Sequence, residues 1–107
     1  MFERTLTGAA RCVVEDDRTP DQKKTHRLAI VARDKFLSGW GRSRGGYSRV
    51  AWACSPEVNA DRVFNWVRSR SEMQYVTLVD LDTYRPPRGT AHFHIYTVGP
   101  HHNAALY

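Results

Sequence analysis

The chain has 107 residues, of which 41% are hydrophobic and 25% charged, and its 16 Lys and Arg against 11 Asp and Glu give a net charge of +5. This balance excludes disordered and fibrous proteins and predicts one domain over residues 1–107, with 99–107 as a tail. The longest apolar runs are too short to cross a bilayer and the N-terminus lacks the apolar centre of a signal peptide, so we expect a cytoplasmic protein.

Five stretches of the chain have the composition of β-strands. The first ends in an acidic turn over residues 15–17, and the near-continuous apolar run of the second indicates an interior position in a sheet. The third is predicted to be the antiparallel partner of the second. The predicted strands are Thr5 to Val14, Arg27 to Arg33, Tyr47 to Cys54, Gln74 to Asp80 and Thr90 to Val98.

One amphipathic helix is predicted between the third and fourth strands. Ser55, Pro56 and Glu57 resemble a helix start, with a serine cap, a proline at the first position and a carboxylate near the positive helix end. An apolar stripe at three- and four-residue steps continues to about residue 69 or 71 and indicates a core-facing side. The prediction is an α+β domain with an antiparallel sheet of four or five strands and one main helix packed on one face.

The segment from Asp34 to Arg49 has the least ordinary composition in the chain. Four cations oppose one carboxylate there, four glycines loosen the backbone, and a tryptophan and a tyrosine supply flat rings. Such a loop is typical of proteins that bind phosphates and stack bases, although a solvated hairpin whose Trp40 folds back on the core has the same composition. The predicted ligand-binding residues are Lys35, Trp40, Arg42, Arg44, Tyr47 and Arg49.

Two sequence motifs carry a resemblance. Two segments, DKFLSGWGR at Asp34 to Arg42 and RSEMQYV at Arg70 to Val76, resemble segments of a family of small, uncharacterised proteins of bacteriophages and other mobile elements. The resemblance covers the central strand, the loop, the helix and the following strand. It implies a phage or mobile-element origin, a bacterial host cell and a compact α+β unit, and it assigns no catalytic residue.

The last predicted strand contains a second candidate site. Alternation places Phe93 and Ile95 on one face and His92, His94 and Tyr96 on the other. Two imidazoles at i and i+2 can share a metal ion, as in the His-hydrophobe-His motif of rolling-circle nucleases. Two exposed histidines are the commoner meaning of this pattern, so no metal or other cofactor is predicted, and His92 and His94 remain an alternative metal pair. Asp80 and Asp82 are the candidate oxygen ligands for that alternative.

Other chemistry finds little support in the sequence. Cys12 and Cys54 have no zinc-binding spacing and are predicted to be two buried thiols. A Walker motif is absent, and the serines lack an identifiable base. The predicted function is therefore non-catalytic binding of nucleic acid or a nucleotide phosphate. The alternatives are a module that inhibits a host protein, a protein that traps small signalling nucleotides, and a metal-dependent nuclease.

Overall fold

The computed structural model describes residues 12–34 and 47–100, except for the side chain of Tyr47. These residues form five strands and two helices. Neither of the two helices is long and apolar enough to cross a membrane. The strands are β1 (Val13–Asp16), β2 (Leu28–Asp34), β3 (Tyr47–Cys54), β4 (Met73–Asp80) and β5 (Thr90–Val98), and the helices are α1 (Gln22–Thr25) and α2 (Ala60–Arg68).

The five strands form one sheet in the order β1-β5-β3-β2-β4. β2 is antiparallel to β3 and to β4, whereas β5 runs parallel to both β3 and β1. The α+β class and the strand count are as predicted, but the prediction of an antiparallel sheet is wrong because the sheet is mixed. The cause is the connection from β3 to β5, which passes through α2 and β4 and brings the chain back in the same direction.

The sheet buries apolar side chains on both faces. On one face, the helix face, Ile30 and Ala32 pack with Val63 and Val67 of α2. On the opposite face, Val31, Ala51 and other side chains of β2, β3 and β5 form a second cluster. This two-sided burial explains the near-continuous apolar sequence of β2, which lies inside the sheet as predicted. The residues of the second cluster are Ala29, Val31, Ala51, Ala53, Phe93 and Ile95.

α2 begins later than the sequence indicates. The Ser55 N–H donates to the Val98 carbonyl, and this bond keeps Ser55 in register with the sheet. The Val58 N–H donates to the Ser55 carbonyl and closes a turn before the helix. Asn59 is the true cap, because its side-chain oxygen accepts from the Asp61 N–H at 3.0 Å. The predicted apolar stripe is confirmed: Ala60, Val63, Phe64 and Val67 all belong to the cluster on the helix face.

The first described strand also differs from its prediction. Glu15 and Asp16 lie within β1 and not in a turn, and residues 5–11 of the predicted strand lie outside the described residues. β1 is an exposed edge strand, with Val13 and Val14 more than half exposed. An edge strand needs no continuous apolar run, which is why carboxylates occur in it.

Candidate functional site

α2 covers only part of the helix face. It packs on β2 and β4, while the same face of β1, β5 and the adjoining part of β3 carries polar and aromatic side chains. We call this second region the open half and the region beneath α2 the covered half. The open half consists of Glu15, Trp52, His92, His94 and Tyr96.

Stacked rings cross the open half from β5 towards α2. The His94 and Tyr96 rings are 4.0 Å apart and nearly parallel, and Tyr96 lies 6.2 Å from Trp52 at an angle of 29°. Trp52 then meets the edge of Trp66 at 5.8 Å. Tyr96 is 38% exposed, so part of its side chain remains accessible to a ligand.

A cleft of about 240 Å³ lies beside these rings. Trp52, Trp66 and Tyr96 supply aromatic walls, while Asp34 and Arg70 add one charge of each sign. The Arg70 guanidinium lies 5.0 Å above the Trp66 ring, and its Nε donates to Glu72 at 2.7 Å. The ion pair and the cation–π contact together hold Arg70 over the end of the cleft.

At the other end of the ring series, the two histidines of β5 contact the carboxylate of Glu15 in β1 and that of Asp17, the residue after β1. His92 Nε2 lies 3.1 Å from Glu15 Oε1, and His94 Nδ1 lies 3.2 Å from the same oxygen. The second nitrogen of His94, Nε2, lies 3.0 Å from Asp17 Oδ2. The parallel register explains this contact, because β1 pairs Glu15 with His94 and Val13 with His92.

The electrostatic character of the open half is acidic. Burial raises the pKa of the Tyr96 phenol, and the negative charges of Asp17, Asp34 and Glu15 raise it further. Tyr96 is therefore a neutral hydrogen-bonding ring at physiological pH. An anionic ligand on this surface needs a source of positive charge beside it.

Only part of the predicted phosphate site falls within the described residues. Arg49 is 8% exposed and pairs in register with Phe93, on the face opposite His94. Lys35, Trp40, Arg42 and Arg44 lie outside the described residues, as does the side chain of Tyr47. The loop site therefore remains a prediction.

The predicted oxygen ligands for the histidine pair lie elsewhere. Asp80 and Asp82 both pair with Arg27 at 2.9 Å, and Asp80 aligns with Leu28 where β4 meets β2. Glu15 is the carboxylate that reaches His92 and His94. Sequence reasoning missed it by assigning residues 15–17 to a turn. Glu15 and Asp17 are two positions apart, and residues at that spacing in an extended chain lie on the same face.

A larger cavity of about 530 Å³ opens beside the start of α2. Lys24 and Arg27 line it, together with Asp80 and the turn from Ser55 to Val58. Because Arg27 is already neutralised by Asp80 and Asp82, this cavity offers less unbalanced charge than the open half.

The open half has a definite chemical capacity. Its rings can stack on a planar ligand through Tyr96, and its imidazoles and carboxylates can bind a cation. The covered half has neither capacity, because Ile30, Val63 and Val67 there are completely buried. Comparison of the chain with protein-family models, curated proteins and solved structures gives no match.

Proposed function

We propose that this protein binds single-stranded nucleic acid or a nucleotide phosphate without catalysis, stacking a base on the open half. One observation carries the proposal: the ring series of His94, Tyr96 and Trp52 borders a cleft whose wall includes Asp34, the last residue of β2 before the basic loop. A ligand lying across the rings would thus meet the chain where the loop begins.

The division of roles follows from charge. Stacking on an aromatic side chain is worth about 1–3 kcal/mol per base and depends little on sequence. Phosphates are repelled by Glu15, Asp17 and Asp34, so their positive partners in this proposal are Lys35, Arg42 and Arg44 of the loop. The resemblance of residues 34–42 and 70–76 to phage proteins supports a phage or mobile-element origin as part of the same proposal.

The proposed stacking of a base on Tyr96 is tested by the variant Tyr96→Ala. Titration of tryptophan fluorescence with a single-stranded oligonucleotide should show a loss of about 1–3 kcal/mol in binding free energy, with an unchanged salt dependence. Tyr75→Ala is the matched control, since Tyr75 is 67% exposed on β4 at the opposite edge of the sheet. Equal losses in the two variants would refute a specific role for the open half.

The loop is tested by replacing Lys35, Arg42 and Arg44 with alanine together. Each lost phosphate contact should reduce the slope of log affinity against log salt by about 0.7 for single strands, so the triple variant should lose about 2. Arg49 is excluded from this variant because it is buried in the sheet, where its removal would also affect folding.

Binding to neither oligonucleotides nor nucleotides at low salt would refute the proposal. In that case a protein ligand, such as a host enzyme with an acidic surface, becomes the better hypothesis for the basic loop. A nucleotide-trapping role would instead appear as tight binding of mononucleotides with weak binding of oligonucleotides. Metal-dependent cleavage of the oligonucleotide would favour the nuclease alternative.

A further inference from the structure

We propose that Glu15, His92 and His94 form a binding site for a first-row divalent transition metal ion, with Zn²⁺ as its best-matched occupant. The three side chains project from adjacent parallel strands onto one face of the sheet. One ligand atom from each lies within 4.8 Å of the other two. The site requires no rearrangement of the backbone, because the strand register already brings the donors together.

Two of the three donor separations, those from Glu15 to each imidazole, fit a shared ion. Zinc binds imidazole nitrogen and carboxylate oxygen at about 2.0–2.2 Å, so neighbouring donors around it are separated by roughly 3.0–3.6 Å. Glu15 Oε1 lies 3.1 Å from His92 Nε2 and 3.2 Å from His94 Nδ1. Two histidines and one carboxylate are also the ligand set of catalytic zinc sites, in which a further position remains open to water or a ligand.

The contacts of His94 give a second reason for a cation. Both of its ring nitrogens face carboxylate oxygens, Nδ1 that of Glu15 and Nε2 that of Asp17. A neutral imidazole has one N–H and one lone pair, so whichever nitrogen holds the proton, the other directs its lone pair at a carboxylate. Two acceptors at this distance repel each other unless a cation, either a second proton or a metal ion, lies between them.

A metal ion on Nδ1 resolves this conflict. His94 then donates its Nε2–H to Asp17 at 3.0 Å, while Nδ1 and Glu15 share the ion. An imidazole that binds a metal through one nitrogen and a carboxylate through the other is the usual arrangement around protein-bound zinc, since the carboxylate orients the ring and increases its basicity. Asp17 is therefore a positioning residue and not a ligand.

The surroundings favour a cation at this site. The carboxylates of Glu15 and Asp17 lie within 3.2 Å of imidazole nitrogens, so negative charge borders the proposed ion. If the proposed function holds, an ion bound to His94 would also place positive charge next to a base that contacts Tyr96, because the His94 and Tyr96 rings are adjacent. The metal site itself stands without that ligand.

The test uses the full chain after removal of metals by a chelator. Calorimetric titration with Zn²⁺, and with Co²⁺ followed by visible absorption, should show one equivalent bound. Glu15→Gln preserves the shape of the side chain and should weaken binding more than about 100-fold, and the double variant His92→Ala/His94→Ala should lose the site. Asp17→Asn should weaken binding by about 10- to 100-fold and leave one equivalent bound.

Two controls separate this site from other histidines and from misfolding. The double variant His101→Ala/His102→Ala should bind as the wild type does. In the wild type, Mn²⁺ should broaden the NMR signals of His92 and His94 before those of His26. This measurement needs no substitution, so misfolding of a variant cannot affect it.

Each contrary result overturns the proposal: no binding by the wild type, wild-type affinity in Glu15→Gln, loss of binding in the His101/His102 variant, or broadening centred elsewhere. Oligonucleotide binding without metal is measured separately. Failure of the metal site with intact oligonucleotide binding would leave the proposed function standing, and the reverse result would leave the metal site standing.

Discussion

The covered half and the open half share one sheet face but differ in what holds them together. Beneath α2, aliphatic side chains such as Ile30, Val63 and Val67 are completely removed from water. On the open half, the contacts are ring stacking and polar pairs, and Glu15 is 55% exposed. Complete burial of the aliphatic side chains beneath α2 stabilises the fold. The partly exposed polar groups of the open half add little to stability and remain accessible to a ligand. On this face, therefore, the buried apolar contacts lie beneath α2, and the polar groups that a ligand could reach lie on the other half.

The largest expected effect is on the stability of the covered half. Ile30→Ala should lower the free energy of unfolding by about 3–4 kcal/mol, because it removes a fully buried side chain from an interior strand. Ile30→Val, which keeps most of the volume, should cost about 1 kcal/mol. Urea unfolding measures both values. His92→Ala on the open half should cost less than about 1 kcal/mol, and a loss there equal to that of Ile30→Ala would end the division between the halves.

A smaller effect is expected where Arg18 joins the end of β1 to the residue that follows α1. The Arg18 guanidinium binds both oxygens of Asp16, at 3.0 and 2.8 Å, and donates to the His26 carbonyl at 3.0 Å. Its side chain is only 9% exposed. Arg18→Ala should therefore cost about 2 kcal/mol, since it leaves Asp16 Oδ2 and the His26 carbonyl without their donor, while the backbone N–H of residue 18 still donates to Asp16 Oδ1. Arg27→Ala is the control and should cost less than about 1 kcal/mol, because its pairs with Asp80 and Asp82 are half-exposed.

The same contact predicts a dependence on pH. Burial opposes ionisation of Asp16, but the hydrogen bonds and charge of Arg18 outweigh it and lower the pKa of Asp16 below its ordinary 3.8. A carboxyl whose pKa is lower in the folded state stabilises the fold above the unfolded pKa and loses that contribution as pH falls through the folded value. The difference in stability between wild type and Arg18→Ala should accordingly shrink in acid below pH 3.8. A difference that stays constant would show that the ion pair is not its source.

Local sequence patterns predicted the bounds of two strands and the face of the sheet on which the side chains of β5 lie. The bounds of β3 and β5 are as predicted, and alternation in β5 placed His92, His94 and Tyr96 opposite Phe93 and Ile95. The direction of β5 and its pairing with β1 were not predictable in this way, because they join residues 77 positions apart. Glu15 was missed because residues 15–17 were predicted to form a turn, and its long-range pairing with β5 left no local signal against that prediction.

Competing local signals explain two other errors. Ser55 and Asn59 are both good helix caps, and the choice between them depends on the tertiary hydrogen bond from the Ser55 N–H to the Val98 carbonyl. Cys12 was predicted to be buried, but it precedes an edge strand and is exposed, whereas Cys54 at the end of β3 is buried. Burial raises the pKa of the Cys54 thiol to about 11, so Cys12 should react far faster with a thiol reagent in the folded protein.

The smallest predicted effect lies at the edge of the covered half. From Val31 to Arg33, β2 advances two residues, while β4 advances three from Gln74 to Thr77, so β4 contains a bulge. Tyr75 lies in it with φ of 58°, a value that costs a residue with a side chain about 1–2 kcal/mol. The bulge shifts the alternation, and this allows Met73 and Val76, three positions apart, to pack towards α2 together.

Tyr75→Gly should therefore raise the free energy of unfolding by about 1 kcal/mol, because glycine adopts positive φ without the steric penalty and the tyrosine ring is largely exposed. Tyr75→Ala removes the same ring but keeps the Cβ that causes the penalty, so it should give no such gain. Urea unfolding of the two variants isolates the backbone term from the lost ring contacts. If the glycine variant is no more stable than the alanine variant, the bulge is not strained, and the joint packing of Met73 and Val76 beneath α2 comes at no conformational cost.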